Sequence, residues 1–174
     1  MSSAFTVVRN FIKQDFKLAG VGYYSAVFES NVDPNIVYKV GRTLKDPFLD
    51  YISMPRLKHN PHFPRVLSLH KDYDNYWYMA TIEALTPIPE HKKTLAKTVR
   101  DSVHSLDKVS LPEQLKQLLN EVVLFAENDD SVSIDLHSGN IMMRGNTLVI
   151  TDPLAEHYLY TASDMENWFE QRKR

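Results

Sequence analysis

Cysteine is absent from this 174-residue chain, and glycine occurs only five times. The first absence excludes a disulfide framework and any thiolate metal site. The second makes each glycine informative, because glycine serves where the backbone turns sharply or another group approaches closely. The five are Gly20, Gly22, Gly41, Gly139 and Gly145. Long apolar runs are missing too: no segment nears the roughly 18 residues a membrane-spanning helix needs. Neither sign of charge dominates, and the formal net charge of -2 argues against nucleic-acid binding through a bulk basic field. The opening MSSAFTVVRNFIKQDF lacks the apolar centre of a secretion signal, so the expectation is a cytosolic protein. The chain is 43% hydrophobic and 24% charged, ordinary for a soluble globular protein. Its length suits one domain or two small lobes sharing a core.

Periodicity divides the chain near Pro87 and Pro89. Before them, FKLAG, SAVFES, NIVYKVG, RVLSLHKDY and NYWYMATIEAL predict about five strands, the last two joined by a turn at Asp72 to Asn75. KDPFLDYISMPRLKHN predicts one helix after the third strand, with Asp46 as N-cap, Pro47 as first helical residue and Pro55 as terminator. After the prolines, helices are expected over roughly 90–106 and 112–127. The second places Leu115, Leu118, Leu119, Val122 and Val123 on one face. NIMMRGNTLVI predicts a hairpin turning at Gly145-Asn146. A capped helix from Ser163 would close the chain.

Three stretches carry candidate chemistry. LAGVGYYSAVF sets G-x-G-x-x-S between two strands, which suits a hairpin folding its backbone over phosphates; a tight turn without a ligand fits equally. Lys39 interrupts the apolar run IVYKVG. It is either an edge or solvent-facing lysine, or one placed to reach nucleotide phosphates. SIDLHSGNIMMRGNTLVITDP, residues 133–153, sets Asp135, Asn140 and Asp152 among Ile, Met and Val, where an uncompensated carboxylate is costly. Singly they read as an Asx-turn, a turn amide and a helix cap. Together they suit phosphoryl transfer: Asn140 and Asp152 hold Mg2+, and Asp135 accepts or orients the proton of an acceptor hydroxyl. His137 reads as a brace for this loop. The aromatics Tyr73, Tyr76, Trp77 and Tyr78 read as strand packing.

The ordered set GVGYYSAVF, VYKVG, IDLHSGN and ITDP resembles the protein-kinase-like fold. It is most similar to the early serine/threonine protein kinases of T-seven-like bacteriophages, over roughly residues 16–155. The resemblance implies an α+β, two-lobed fold. Its N-lobe, about 1–84, would be an antiparallel sheet plus one helix; its C-lobe, about 85–174, would be reduced and mainly helical. It also implies a phosphate-covering loop of Gly20, Gly22 and Ser25, Lys39 on the α and β phosphates, and Asp135 as catalytic aspartate. Asn140 and Asp152 would bind Mg2+, and the hinge from Glu83 to Leu85 would offer backbone groups to the adenine of ATP. The implied substrates are host bacterial proteins, such as those of transcription or RNA processing, in the cytoplasm of the infected cell.

The sequence also departs from the general kinase pattern. No glutamate lies between Lys39 and Glu83, so the lysine's usual acidic partner would be an aspartate, with Asp50 the candidate. Ile134 stands where an arginine commonly precedes the catalytic aspartate. Pro153 replaces Phe-Gly after the metal aspartate, and few residues follow to build a peptide platform. Two rival readings remain: a kinase of small molecules of the aminoglycoside or choline type, and a pseudokinase that binds and inhibits a host protein.

Overall fold

The computed structural model describes residues 3–105 and 110–156. They group into two units, one from residues 3–46 and 66–84, the other from 47–65 and 85–156. No helix among the described residues is long and apolar enough to cross a membrane. The helix expected from Ser163 lies outside them.

The first unit is a five-stranded antiparallel sheet with one helix. Strands β1 (Leu18–Val21), β2 (Ser25–Glu29), β3 (Ile36–Gly41), β4 (Val66–Asp72) and β5 (Trp77–Glu83) take the order β1-β2-β3-β5-β4. All five fall where alternation predicts them. Helix α1 (Ala4–Lys13) does not: the pattern of this half predicts strands, and a helix stands before them. Its signal is local, because Ser3 accepts the Thr6 backbone N–H as an N-cap. Ala4 and Val8, one turn apart, are buried with Ala26, Phe28, Val40 and Trp77. Phe11 stacks on Phe28 at 5.1 Å and on Tyr38 at 5.3 Å, so α1 closes one face of the sheet.

Two details of this unit bear on function. Gly41 pairs with Tyr78 across β3 and β5, and a Cβ at 41 would lie 1.8 Å from the Tyr78 ring. The Tyr78 hydroxyl donates to the buried carboxylate of Asp46, the expected N-cap position. The aromatic cluster divides in two: Trp77 and Tyr78 are buried, while Tyr73 and Tyr76 are exposed beside the turn. In that turn the Asp72 carboxylate accepts the Asn75 backbone N–H at 2.9 Å and the Trp77 indole N–H at 2.9 Å. These bonds, the Asn75 backbone foremost, hold Asp72 below the usual carboxylate pKa.

The second unit mixes helices with two small sheets. Helix α2 (Pro47–Ser53) begins at its expected proline and ends before Pro55, where a single 3-10 turn follows. Helix α3 (Lys93–Ser102) is shorter than predicted. Helix α4 (Glu113–Asn128) buries Leu115, Leu118, Leu119 and Val122, as its periodicity requires. The anticipated hairpin is present as β8 (Ile141–Arg144) and β9 (Thr147–Ile150). Gly145 takes φ 57 at its turn, a conformation other L residues adopt at a cost. Short β6 (Thr86–Pro87) pairs with β8, and β7 (Val132–Ile134) pairs with β10 (Leu154–Glu156). These three strands are too short to announce themselves by alternation. The unit is therefore less purely helical than expected.

Candidate active site

The geometry around Asp135 is set by the main chain. β7 delivers the chain to Asp135, whose N–H donates to the Pro153 carbonyl at 2.7 Å. A 3-10 turn at Ser138–Asn140 then leads into β8. Ile141 pairs with Ile150 at the far end of the hairpin, and the Thr151 N–H donates to the Asn140 carbonyl at 2.8 Å. Asp152 is thus flanked by two backbone hydrogen bonds, one to Asn140 and one to Asp135. Residues far apart along the chain meet at one end of the β8–β9 hairpin.

Side chains complete the cluster. The Asn140 amide nitrogen donates to the Asp135 carbonyl at 2.8 Å, which leaves the amide oxygen as its atom able to ligate a cation. Oδ1 of Asp152 is buried and accepts no hydrogen bond, while the carboxylate is otherwise engaged. His137 braces the loop as anticipated: its Nδ1 accepts the Gly139 N–H at 2.9 Å, and its Nε2 lies 3.7 Å from Asp135 Oδ2. A Cβ at Gly139 would meet that ring at 2.7 Å, so glycine keeps the imidazole in place. Asp135 is partly exposed, open to an acceptor.

Three residues that support this frame escape sequence reasoning. The Tyr51 hydroxyl, on α2, donates to the Ile150 carbonyl at 2.8 Å. Burial raises its pKa well above the ordinary value, and the negative charge of Asp152 raises it further. The His62 ring lies 2.7 Å from the Leu148 carbonyl. The Arg144 guanidinium donates to the carbonyls of Pro61 and Phe63 at 2.8 and 2.9 Å. Together they staple residues 61–63 and α2 to the hairpin. No motif marks them, since a tyrosine in an apolar helix and an arginine beside a turn are ordinary residues. Asp50 is exposed in the first turn of α2, where a carboxylate suits the helix dipole.

In the sheet unit, Lys39 is 5% exposed on β3, with β2 and β5 on either side. It is neither at an edge nor facing solvent, which removes the plain alternative. A charged group so deep requires compensation, and neighbouring groups engage it. The glycine loop spans β1 and β2. Gly22 N–H donates to the Ser25 carbonyl at 2.8 Å, Ser25 is buried, and the Arg42 guanidinium lies 4.4 Å over the Tyr23 ring. A Cβ at Gly20 meets nothing within 4 Å, and at Gly22 only the Ser25 carbonyl at 3.9 Å. Internal packing therefore does not require glycine at either position. At the end of β5, Glu83 pairs with Ile36 of β3, and the Ala84 N–H donates to the Asn35 carbonyl at 2.7 Å.

The donor set fits a hard cation. Asn140 and Asp152 offer oxygens only, as Mg2+ prefers when water and phosphate complete its shell. Among the described residues no group of three or more His, Asp or Glu is placed to hold a metal ion.

No curated protein matches the chain. Residues 3–169 match the family described as bacteriophage T7 protein kinase 0.7. The match runs through the glycine loop, the buried lysine, and the Asp135, Asn140 and Asp152 cluster. The chain belongs to the bacteriophage T7 protein kinase family.

Proposed function

We propose that the protein is an ATP-dependent serine/threonine protein kinase acting on host bacterial proteins, among them those of transcription or RNA processing, in the cytoplasm of the infected cell. The observation that carries the reading is the backbone-held convergence of Asp135, Asn140 and Asp152 in a chain of this family. Asp135 accepts the proton of the acceptor hydroxyl as its oxygen attacks the γ-phosphorus. The bond from that phosphorus to the bridging oxygen breaks, and the electron pair leaves with ADP. The oxygens of Asn140 and Asp152 hold Mg2+, which when bound neutralises charge on the phosphates. Gly20, Gly22 and Ser25 cover the phosphates, Lys39 contacts the α and β phosphates with Asp50 as its candidate acidic partner, and Glu83 and Leu85 address the adenine. Positioning and charge neutralisation supply the rate.

The test is transfer of labelled phosphate from ATP to a panel of serine and threonine peptides and a panel of small alcohols. Peptides should be labelled. Asp135→Ala and Asp152→Ala should each lower transfer by at least about a hundredfold while circular dichroism stays unchanged. Labelling of small alcohols alone, or full transfer by folded Asp152→Ala, contradicts the proposal.

A further inference from the structure

Beside the Asp135 loop lies a cavity of about 450 Å³ whose lining includes Leu136, Ser138 and Ile141 on one side and Lys93, Lys97 and Arg100 of α3 on the other. The three cations stand at i, i+4 and i+7, on one face of the helix. That face adjoins the stripe through which Ala96 and Val99 are buried. Among the described residues no carboxylate lines the cavity. Lys93 is held by Glu90 at 2.6 Å, and Arg100 gives its Nε to Asp101 at 3.0 Å. Lys97 has no ion pair among the described residues. The site therefore keeps an excess of positive charge over an apolar floor of Leu136 and Ile141, both buried.

We propose that this cavity selects acceptors by taking a carboxylate-bearing segment of the protein substrate, so that the kinase favours hydroxyls flanked by glutamate or aspartate. The inference rests on the kinase reading above. Three like charges on one helix face repel one another, and an incoming carboxylate relieves that repulsion. The apolar floor accepts the side-chain methylenes. Leu136 and Ser138 are one and three residues from Asp135, so a chain anchored here passes near the catalytic aspartate. The cavity accommodates a few side chains, and the chain as a whole carries net charge -2. Both facts favour a short acidic peptide over a nucleic acid.

The experiment uses the full chain and a fluorescent peptide whose acceptor serine is replaced by alanine, flanked by glutamates in one form and glutamines in the other. Anisotropy should show the glutamate form binding about tenfold tighter. The preference should shrink with salt, vanish in Lys97→Glu and persist in Lys97→Arg. Equal binding of the two peptides, or an undiminished preference in Lys97→Glu, overturns the proposal. Tighter, Lys97-dependent binding of a uridine oligonucleotide that displaces the peptide also overturns it. Phosphate transfer to glutamine-flanked and glutamate-flanked serine peptides by the unaltered protein is measured in parallel, and both should be labelled. Transfer that persists while the preference is missing refutes the selection alone. A preference that persists while no peptide, of either flank, is ever phosphorylated supports the acidic site and refutes the kinase reading.

Discussion

Four of the five glycines separate into two classes once their surroundings are known. Gly41 and Gly139 are required by the fold, because a Cβ would strike Tyr78 or His137. Gly20 and Gly22 have no such neighbour, so their requirement must come from a ligand if it exists. Gly41→Ala should therefore destabilise the protein by about 1–3 kcal/mol through overpacking. Gly20→Ala and Gly22→Ala should shift stability by no more than about 0.5 kcal/mol yet weaken ATP binding several-fold. Urea titration and nucleotide titration of the same variants would check this. Unaltered nucleotide affinity in both loop variants would remove the phosphate-covering role. The sequence alone could not make the distinction. It shows where glycine occurs, and the cause of each lies in a partner far along the chain or outside it.

At the scale of elements, legibility followed length and alternation. The five sheet strands, α4 and the β8–β9 hairpin each repeat a pattern long enough to read. α1 carries a readable helical period, with Ala4, Val7, Val8 and Phe11 at i, i+3, i+4 and i+7, but it is short and stands directly before a run of strands that dominates this half. β6, β7 and β10 have two or three residues each, too few for any period. Asp135, Asn140 and Asp152 were legible as residues, but the β7–β10 pairing that joins two of them was not. The staple of residues 61–63 on the hairpin was equally invisible, since it is made by side chains reaching backbone carbonyls. Arg144→Ala removes two of those hydrogen bonds and should cost about 1.5–3 kcal/mol. The midpoint of urea unfolding should fall at an unchanged slope. A midpoint equal to that of the parent protein would show that other contacts hold the segment.

For the molecule as a whole, the chain visits the sheet unit, leaves it at residue 47, returns at 66 and leaves again at 85. A ligand bound only by the native state stabilises it by mass action, about 2.7 kcal/mol at a hundredfold excess over Kd. Mg2+ and ATP together should therefore raise the melting temperature by several degrees, and Lys39→Ala or Asp152→Ala should abolish the rise. A rise that survives both substitutions would place the nucleotide elsewhere. Two backbone hydrogen bonds lie on either side of Asp152. They belong to the peptide chain itself and do not depend on the side chains at 135, 140 and 152, proline at 135 excepted because it has no N–H to donate. The scaffold is thus indifferent to its cargo. A library randomised at those three positions should yield mostly folded proteins, and its survivors in a phosphorylation screen would report which chemistries the frame can host.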